Sequence, residues 1–226
     1  MSTILAIDTS TEACSVALLY RNEITHDFIV SARDHTKQIL PMVDRLLKQS
    51  DCSLTQVDAI AFGQGPGSFT GVRIGIGVAQ GLALGIDKPM IGVSTLMTLA
   101  QGVSRTMQAT NVIAAIDARM NEVYLGQFQY VKDQWQAVIA ECVIKPEKVI
   151  EKVKHISQND YCAGTGWQTY PDMINDMKQS DILLPHAQDL VVIAKNKWQK
   201  NEVINVENVE PTYLRNEVTW KKLPGR

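Results

Sequence analysis

Apolar and polar positions along this 226-residue chain change period repeatedly, and each change marks an element. Three short β-rich runs, 3–8, 14–20 and 24–30, open the sequence, the first two separated by the turn-like Thr9-Ser10-Thr11-Glu12, and they predict an antiparallel meander. Over 34–49 the period lengthens, so that Ile39, Leu40, Met42, Val43, Leu46 and Leu47 share one broad helical arc opposite Lys37, Asp44 and Lys48. Pro41 falls past the first turn of that helix, where its missing N–H and its ring should bend it. A fourth strand, 57–62, runs into Gly65-Pro66-Gly67-Ser68-Phe69-Thr70-Gly71, followed by a helix at about 70–85, a strand at 90–93 and a helix at about 94–104.

The order then restarts with strands at 111–117, 122–130 and 135–143, a helix at 146–154 and a strand at 160–164. Ala6-Ile7-Asp8 returns as Ala115-Ile116-Asp117, a carboxylate ending the first strand each time. A meander alternating with helices, met twice, predicts two copies of a mixed α/β unit. The expected halves are 1–104 and 105–226, with the tail of the second able to fold back on the first.

Composition narrows the function classes. A chain with 45% hydrophobic and 20% charged residues can bury a sizeable core. The formal charge of −2 and pI near 6.1 lack the basic footprint of an autonomous nucleic-acid binder, so a nucleic-acid role would run through a partner. No run approaches the roughly 18 to 20 continuous apolar residues that span a bilayer. The opening Ile4-Leu5-Ala6-Ile7 stops at Asp8, too short for a signal segment and without a basic start, so a cytoplasmic, membrane-free protein is expected. Cys14, Cys52, Cys142 and Cys162 are widely separated, which points to reduced thiols, and His26, His35, His155 and His186 lack metal-binding spacing.

Two clusters could carry chemistry. Glycines 63, 65, 67 and 71 between a strand and a helix could turn backbone N–H groups toward an anion, or could simply make a tight turn. No Lys-Ser or Lys-Thr pair follows, so the turn is not a P-loop, and its place after a later strand does not fit the dinucleotide fingerprint. Asp8 with Thr9, Ser10 and Thr11 could hold a hydrated metal or a phosphate, or could cap a turn, and Asp117 with Arg119 repeats the setting. Asp8, Ser10, Gly65, Gly67, Ser68, Thr70 and Gly71 are the candidate phosphate-binding set. The helix that follows carries two small-residue series, Gly71/Gly75/Ala79 and Gly77/Gly81/Gly85. Each interior glycine costs about 0.5 to 1 kcal/mol against alanine. The compensation expected is close approach of another backbone, within the chain or from a second one.

Gly65-Pro66-Gly67-Ser68-Phe69-Thr70-Gly71-Val72-Arg73, preceded by Ile4-Leu5-Ala6-Ile7-Asp8-Thr9-Ser10, closely resembles the TsaB (YeaZ) family. The resemblance extends through His35-Thr36 with Ile39-Leu40-Pro41 to the tail Pro211-Thr212-Tyr213-Leu214-Arg215. It implies the duplicated ribonuclease H-like (ASKHA) fold of actin, Hsp70 and sugar kinases, and a part in making threonylcarbamoyladenosine at position 37 of tRNAs that read codons beginning with A. The catalytic paralog, TsaD, carries a His-x-x-x-His metal pair after the equivalent of Gly92-Val93, where this chain reads Ser94-Thr95-Leu96-Met97-Thr98-Leu99. Hydroxyl and aliphatic groups cannot hold a transition metal as imidazoles do. The resemblance therefore implies a non-catalytic subunit, without metal or catalytic residues, that pairs with TsaD through its first two helices and is joined by the ATPase TsaE. Ile39, Leu40, Val43, Leu46, Leu47, Ile74, Val78 and Leu82 are the expected contacts, a homodimer could use the same face, and ATP or ADP could sit at the interface of the complex. The alternatives are an independent nucleotide-binding enzyme of the same fold, phosphotransferase or peptidase-like, and a direct tRNA-binding module.

Overall fold

The computed structural model describes residues 2–31, 34–173 and 177–215, so the end of the expected second half, 216–226, lies outside the described residues. Strands β1 (Ile4–Asp8), β2 (Ala13–Tyr20) and β3 (Glu23–Val30) form the predicted antiparallel meander. Strands β4 (Ala59–Gly65) and β5 (Met90–Ser94) add on the other side of β1 in parallel, giving the sheet order β3-β2-β1-β4-β5. The second sheet repeats the plan. Its meander is β6 (Asn111–Arg119), β7 (Glu122–Val131) and β8 (Gln134–Ile144), and β9 (Tyr161–Ala163) and β10 (Lys178–Gln179) extend β6 in parallel, in the order β10-β9-β6-β7-β8. This is the duplicated α/β architecture expected from the restart of the pattern.

Strand alternation sorts the core into layers. On β1, Leu5 and Ile7 face outward into a cluster with Ile39, Met42 and Leu46 of helix α1 (His35–Gln49) and with Val72, Ile76 and Ala79 of helix α2 (Phe69–Ile86). Ile4 and Ala6 face the other way, into a central layer built by helix α3 (Thr95–Met107) and helix α6 (Ala187–Gln199). The same layer receives Val112, Ala114 and Ile116 of the second sheet. Two single helical turns, α4 (Val149–Lys152) and α5 (Gly166–Thr169), cover the far face of that sheet through Val149 and Trp167. Fully burying a Leu, Ile or Phe side chain contributes about 1.5 to 3 kcal/mol, so a layer fed by both sheets joins them strongly.

The second half differs from the pattern reading, which holds neither α5 nor β10. The helix expected over 146–154 is a 3₁₀ turn, Pro146–Lys148, followed by the one turn of α4. Its apolar anchors, Val149 and Val153, stand a single turn apart and can bury no more than that. Helix α6 was not predicted. It starts where the Nδ1 of His186 accepts a hydrogen bond from the Gln188 amide at 3.1 Å, and it buries Leu190, Val191, Ile193 and Ala194. Asp189, 1% exposed, accepts a two-pronged pair from Arg105 of α3 at 2.7 and 3.1 Å. Helix α1 is continuous through Pro41, which lies on its exposed side.

Candidate functional site

The glycine-rich turn sits where β4 leaves the sheet. Gly65 has φ +100°, a left-handed value that favours glycine. The next glycines are needed for closeness. A Cβ on Gly67 would lie 2.2 Å from the Ser10 carbonyl oxygen, and one on Gly71 would lie 2.2 Å from that of Thr9. The Ser68 amide donates to the Ser10 oxygen at 2.7 Å, and the Thr9 hydroxyl donates to the Gly71 oxygen at 2.7 Å. Ser68 caps α2, its Oγ accepting from the Gly71 amide at 3.3 Å. The turn and the Asp8–Thr11 cluster are therefore one packed unit. The space in front of Gly67 and Gly71, which an anion cradle would offer to a phosphate, is filled by the chain's own carbonyls.

Within this unit, Asp8 is 1% exposed. Its Oδ1 accepts from the Ser10 amide at 2.9 Å and from the Ser10 hydroxyl at 2.7 Å, while Oδ2 has no hydrogen-bond partner among the described residues and faces Gly63. Burial pushes its carboxyl up to about 6 against the hydrogen bonds from Ser10 and the field of His35. His35 lies under the same turn, its Nε2 2.9 Å from the Thr11 carbonyl and 3.2 Å from that of Ala13. Both neighbours are acceptors, so Nε2 carries a proton. Gly65, Gly67, Gly71, Asp8 and Ser10 are thus brought together, whereas Thr70 lies exposed on the outer side.

The second candidate surface is the outer face of α1 and α2. Ile39, Val43 and Leu46 turn inward, at 0, 4 and 1% exposure, and belong to the chain's own core. Leu40 is half exposed, and Leu47, Ile74, Val78 and Leu82 are partly covered. Leu40, Leu47, Leu54 and Leu82 line a groove of about 380 Å³ between the two helices. Beside the groove, Gly77, Gly81 and Gly85 have nothing among the described residues within 4 Å of where a Cβ would stand, and Phe69 and Leu84 on the same helix are exposed. The two glycine series have separate uses: one lets α2 settle on Thr9, and the other lies open. With 18 residues and a mean hydropathy of 1.4, α2 is long and apolar enough to cross a membrane by length and composition, yet only a third of it is buried.

Sequence reasoning missed a third cluster. The Ser94 hydroxyl, which caps α3 by accepting from the Met97 amide at 3.1 Å, also donates to the carboxylate of Glu141 on β8. Thr98, one turn on, donates to the Ser94 carbonyl at 2.9 Å. The Lys197 ammonium donates to the Gly92 oxygen at 2.7 Å. Burial raises the pKa of Glu141 and lowers that of Lys197, each opposed by the field of the other. The Ser94 hydroxyl thus ties the start of α3 to the second sheet, and Lys197 of α6 holds β5 beside it, contacts that no local motif could have linked. All four cysteines are free. Cys14 and Cys162 are buried thiols whose pKa values burial pushes up to about 12.

Comparison with known proteins places this geometry in a family. Residues 29–223 match the family model described as TsaD, tRNA N6-adenosine threonylcarbamoyltransferase. The chain is 51% identical to the tRNA threonylcarbamoyladenosine biosynthesis protein TsaB of Escherichia coli (strain K12), over 99% of each chain. It is also 51% identical to the protein of the same name from Haemophilus influenzae, over 99% of this chain and 98% of the relative. The solved structure of YeaZ from Pseudomonas aeruginosa superposes with a TM-score of 0.90 at 46% identity, covering 95% of this chain and all of that one.

Proposed function

Because the chain belongs to the TsaB family of tRNA threonylcarbamoyladenosine biosynthesis proteins, we propose that it serves that pathway as a non-catalytic subunit. It activates a TsaD-type paralog by docking through the outer face of α1 and α2. The observation that carries the docking reading is the state of α2: a helix of mean hydropathy 1.4 with a third of its residues buried, an open Gly77/Gly81/Gly85 series, and an apolar groove alongside. Small residues in series let a second helix approach closely, and the groove supplies apolar area that water would otherwise cover. The contact set is accordingly Leu40, Leu47, Ile74, Val78 and Leu82 with the glycine series, while Ile39, Val43 and Leu46 support α1 from beneath. The same face serves a homodimer when the paralog is absent.

The non-catalytic part rests on α3. Ser94 and Thr98, in the stretch where the paralog's imidazoles would stand, use their hydroxyls to cap the helix, reach Glu141 and bond the helix's own backbone. The substrate of the complex is adenosine 37 of tRNAs that read codons beginning with A, and the acidic balance of this chain assigns the tRNA contact to the complex. A TsaE-type ATPase joins the pair, in the cytoplasm. Co-purification tests the docking: Leu40→Glu combined with Gly81→Leu should abolish capture of the paralog, and undiminished capture would refute the surface.

One observation favours a second reading, nucleotide binding by the chain itself: the buried, unpartnered Oδ2 of Asp8. Calorimetric titration of the isolated chain with ATP decides it. Micromolar affinity with turnover would support an independent enzyme, and the absence of heat would leave the subunit reading standing.

A further inference from the structure

The chain that follows α6 runs back along the first sheet and then crosses to the second. Ile204 pairs with Met90 at the edge of β5, its amide donating at 2.8 Å. Gln80 of α2 donates to the Val206 oxygen at 3.0 Å, and the Gln64 side chain donates to the Glu210 oxygen at 3.0 Å. The Thr212 amide closes on the Gln64 carbonyl at 2.8 Å. Tyr213 then meets Arg73, whose guanidinium stacks 3.3 Å from the Phe69 ring centroid and 5.1 Å from that of Tyr213, and donates to the Tyr213 hydroxyl. Two residues on, Arg215 reaches the end of the β6–β7 hairpin. It pairs with Glu122 at 2.5 Å and donates to the Ala118 carbonyl at 3.1 Å.

We infer that residues 209–215 are a strap that couples the α2 docking face to the relation between the two halves. Its two anchors differ in kind. Arg215 and Glu122 are about three-quarters covered, and one guanidinium nitrogen, Nη2, donates to both a carboxylate and a backbone carbonyl, which makes a firm, charge-assisted attachment. Arg73 lies on the exposed stripe of α2, between Phe69 at 70% and Tyr213 at 54% exposure, and its hold on Tyr213 is open to whatever covers that stripe. A partner seated there would bury Phe69, Arg73 and Tyr213 together and fasten the near end of the strap. The far end grips the same turn that carries Arg119, whose guanidinium meets Glu12 of the first half at 3.8 Å. Tightening at α2 is therefore passed to the junction of the halves.

This inference rests on the docking reading for what covers α2, but the strap itself is testable on the chain alone. Amide hydrogen exchange is measured on wild-type, Arg215→Ala and Arg73→Ala proteins, following the Thr212 amide, bonded to Gln64, and the Arg119 amide, bonded to the Asp117 carboxylate at 3.0 Å. Loss of either arginine should speed Thr212 exchange on the order of tenfold, the effect of one charge-assisted anchor. Arg73→Ala should also speed Arg119 exchange severalfold, although Arg73 does not touch that turn. Unchanged Thr212 exchange in Arg215→Ala would show that the second half does not hold the strap. Unchanged Arg119 exchange in Arg73→Ala would show that nothing passes along it. Neither result depends on a partner, so failure here is distinct from failure of co-purification.

Discussion

Packed and open glycines, at the turn and along α2, give opposite predictions. Gly67→Ala or Gly71→Ala would place a methyl 2.2 Å from a backbone carbonyl that cannot move without breaking the Ser68–Ser10 or Thr9–Gly71 bond. Each should cost about 2 to 4 kcal/mol in urea unfolding. Gly81→Ala meets open space and should add about 0.5 to 1 kcal/mol of stability while weakening association with the paralog. Asp8 and His186 make a second residue-scale test. The Asp8 carboxyl, raised to about 6 from 3.8, binds its proton before the unfolded chain does, so acidification from about 6 to 4 adds stability, up to about 3 kcal/mol. His186, partly covered and stacked on Phe28 with the His26 ring against it, is pushed down to about 4 from 6.5 by loss of water and by the field of His26, so the unfolded chain binds that proton first and the same acidification removes stability. The two slopes oppose each other in the wild-type chain. Asp8→Asn should leave the His186 slope exposed, with a urea midpoint that climbs as pH rises from 4 to 6.5. A profile as flat as wild type would contradict the assignment. Of all this the sequence showed the glycines and the carboxylate, but not which carbonyl each glycine would meet, because Thr9 and Ser10 lie some sixty residues away along the chain.

At the scale of elements, the apolar arc of α1 was legible as an arc, but its division was not. Period-3.6 spacing gives a face without saying how much of it the sheet takes. The sheet takes Ile39, Met42, Val43 and Leu46, and leaves Leu40 outside with Leu47 half covered. Val43→Glu should therefore unfold the chain, burying a charge against β2 at a cost of several kcal/mol. Leu40→Glu should keep the circular dichroism spectrum and melting temperature of wild type and lose the paralog. A folded, binding-competent Val43→Glu protein would contradict the layer order. The small-residue series of α2 was read from spacing alone, and the structure supplies its meaning, because one series touches Thr9 and the other touches nothing. Helix α6 was missed for a different reason: its apolar positions, Leu190, Val191, Ile193 and Ala194, face a central layer fed from both sheets. No restart of the strand pattern announces it.

The whole molecule is two copies of one plan held together from inside. The duplication was legible in Ala6-Ile7-Asp8 and Ala115-Ile116-Asp117, and β1 and β6 occupy matching central places in the two sheets. The cross-links were not legible, since Arg105–Asp189, Ser94–Glu141 and Arg215–Glu122 each join residues far apart in the chain. Arg105→Ala would leave the Asp189 carboxylate, 1% exposed, buried and unpaired in the central layer, and a loss of about 3 to 5 kcal/mol is expected in chemical unfolding. We propose that this molecule works through the face of α1 and α2 and supplies no catalytic group. The most direct measurement is threonylcarbamoyladenosine formed on tRNA in a reconstituted reaction with the TsaD-type paralog and the TsaE-type ATPase, comparing wild-type chain, no chain, and the folded Leu40→Glu, Gly81→Leu variant. Product is predicted only with the wild-type chain. Full product from the variant, or from the mixture without the chain, would contradict the account.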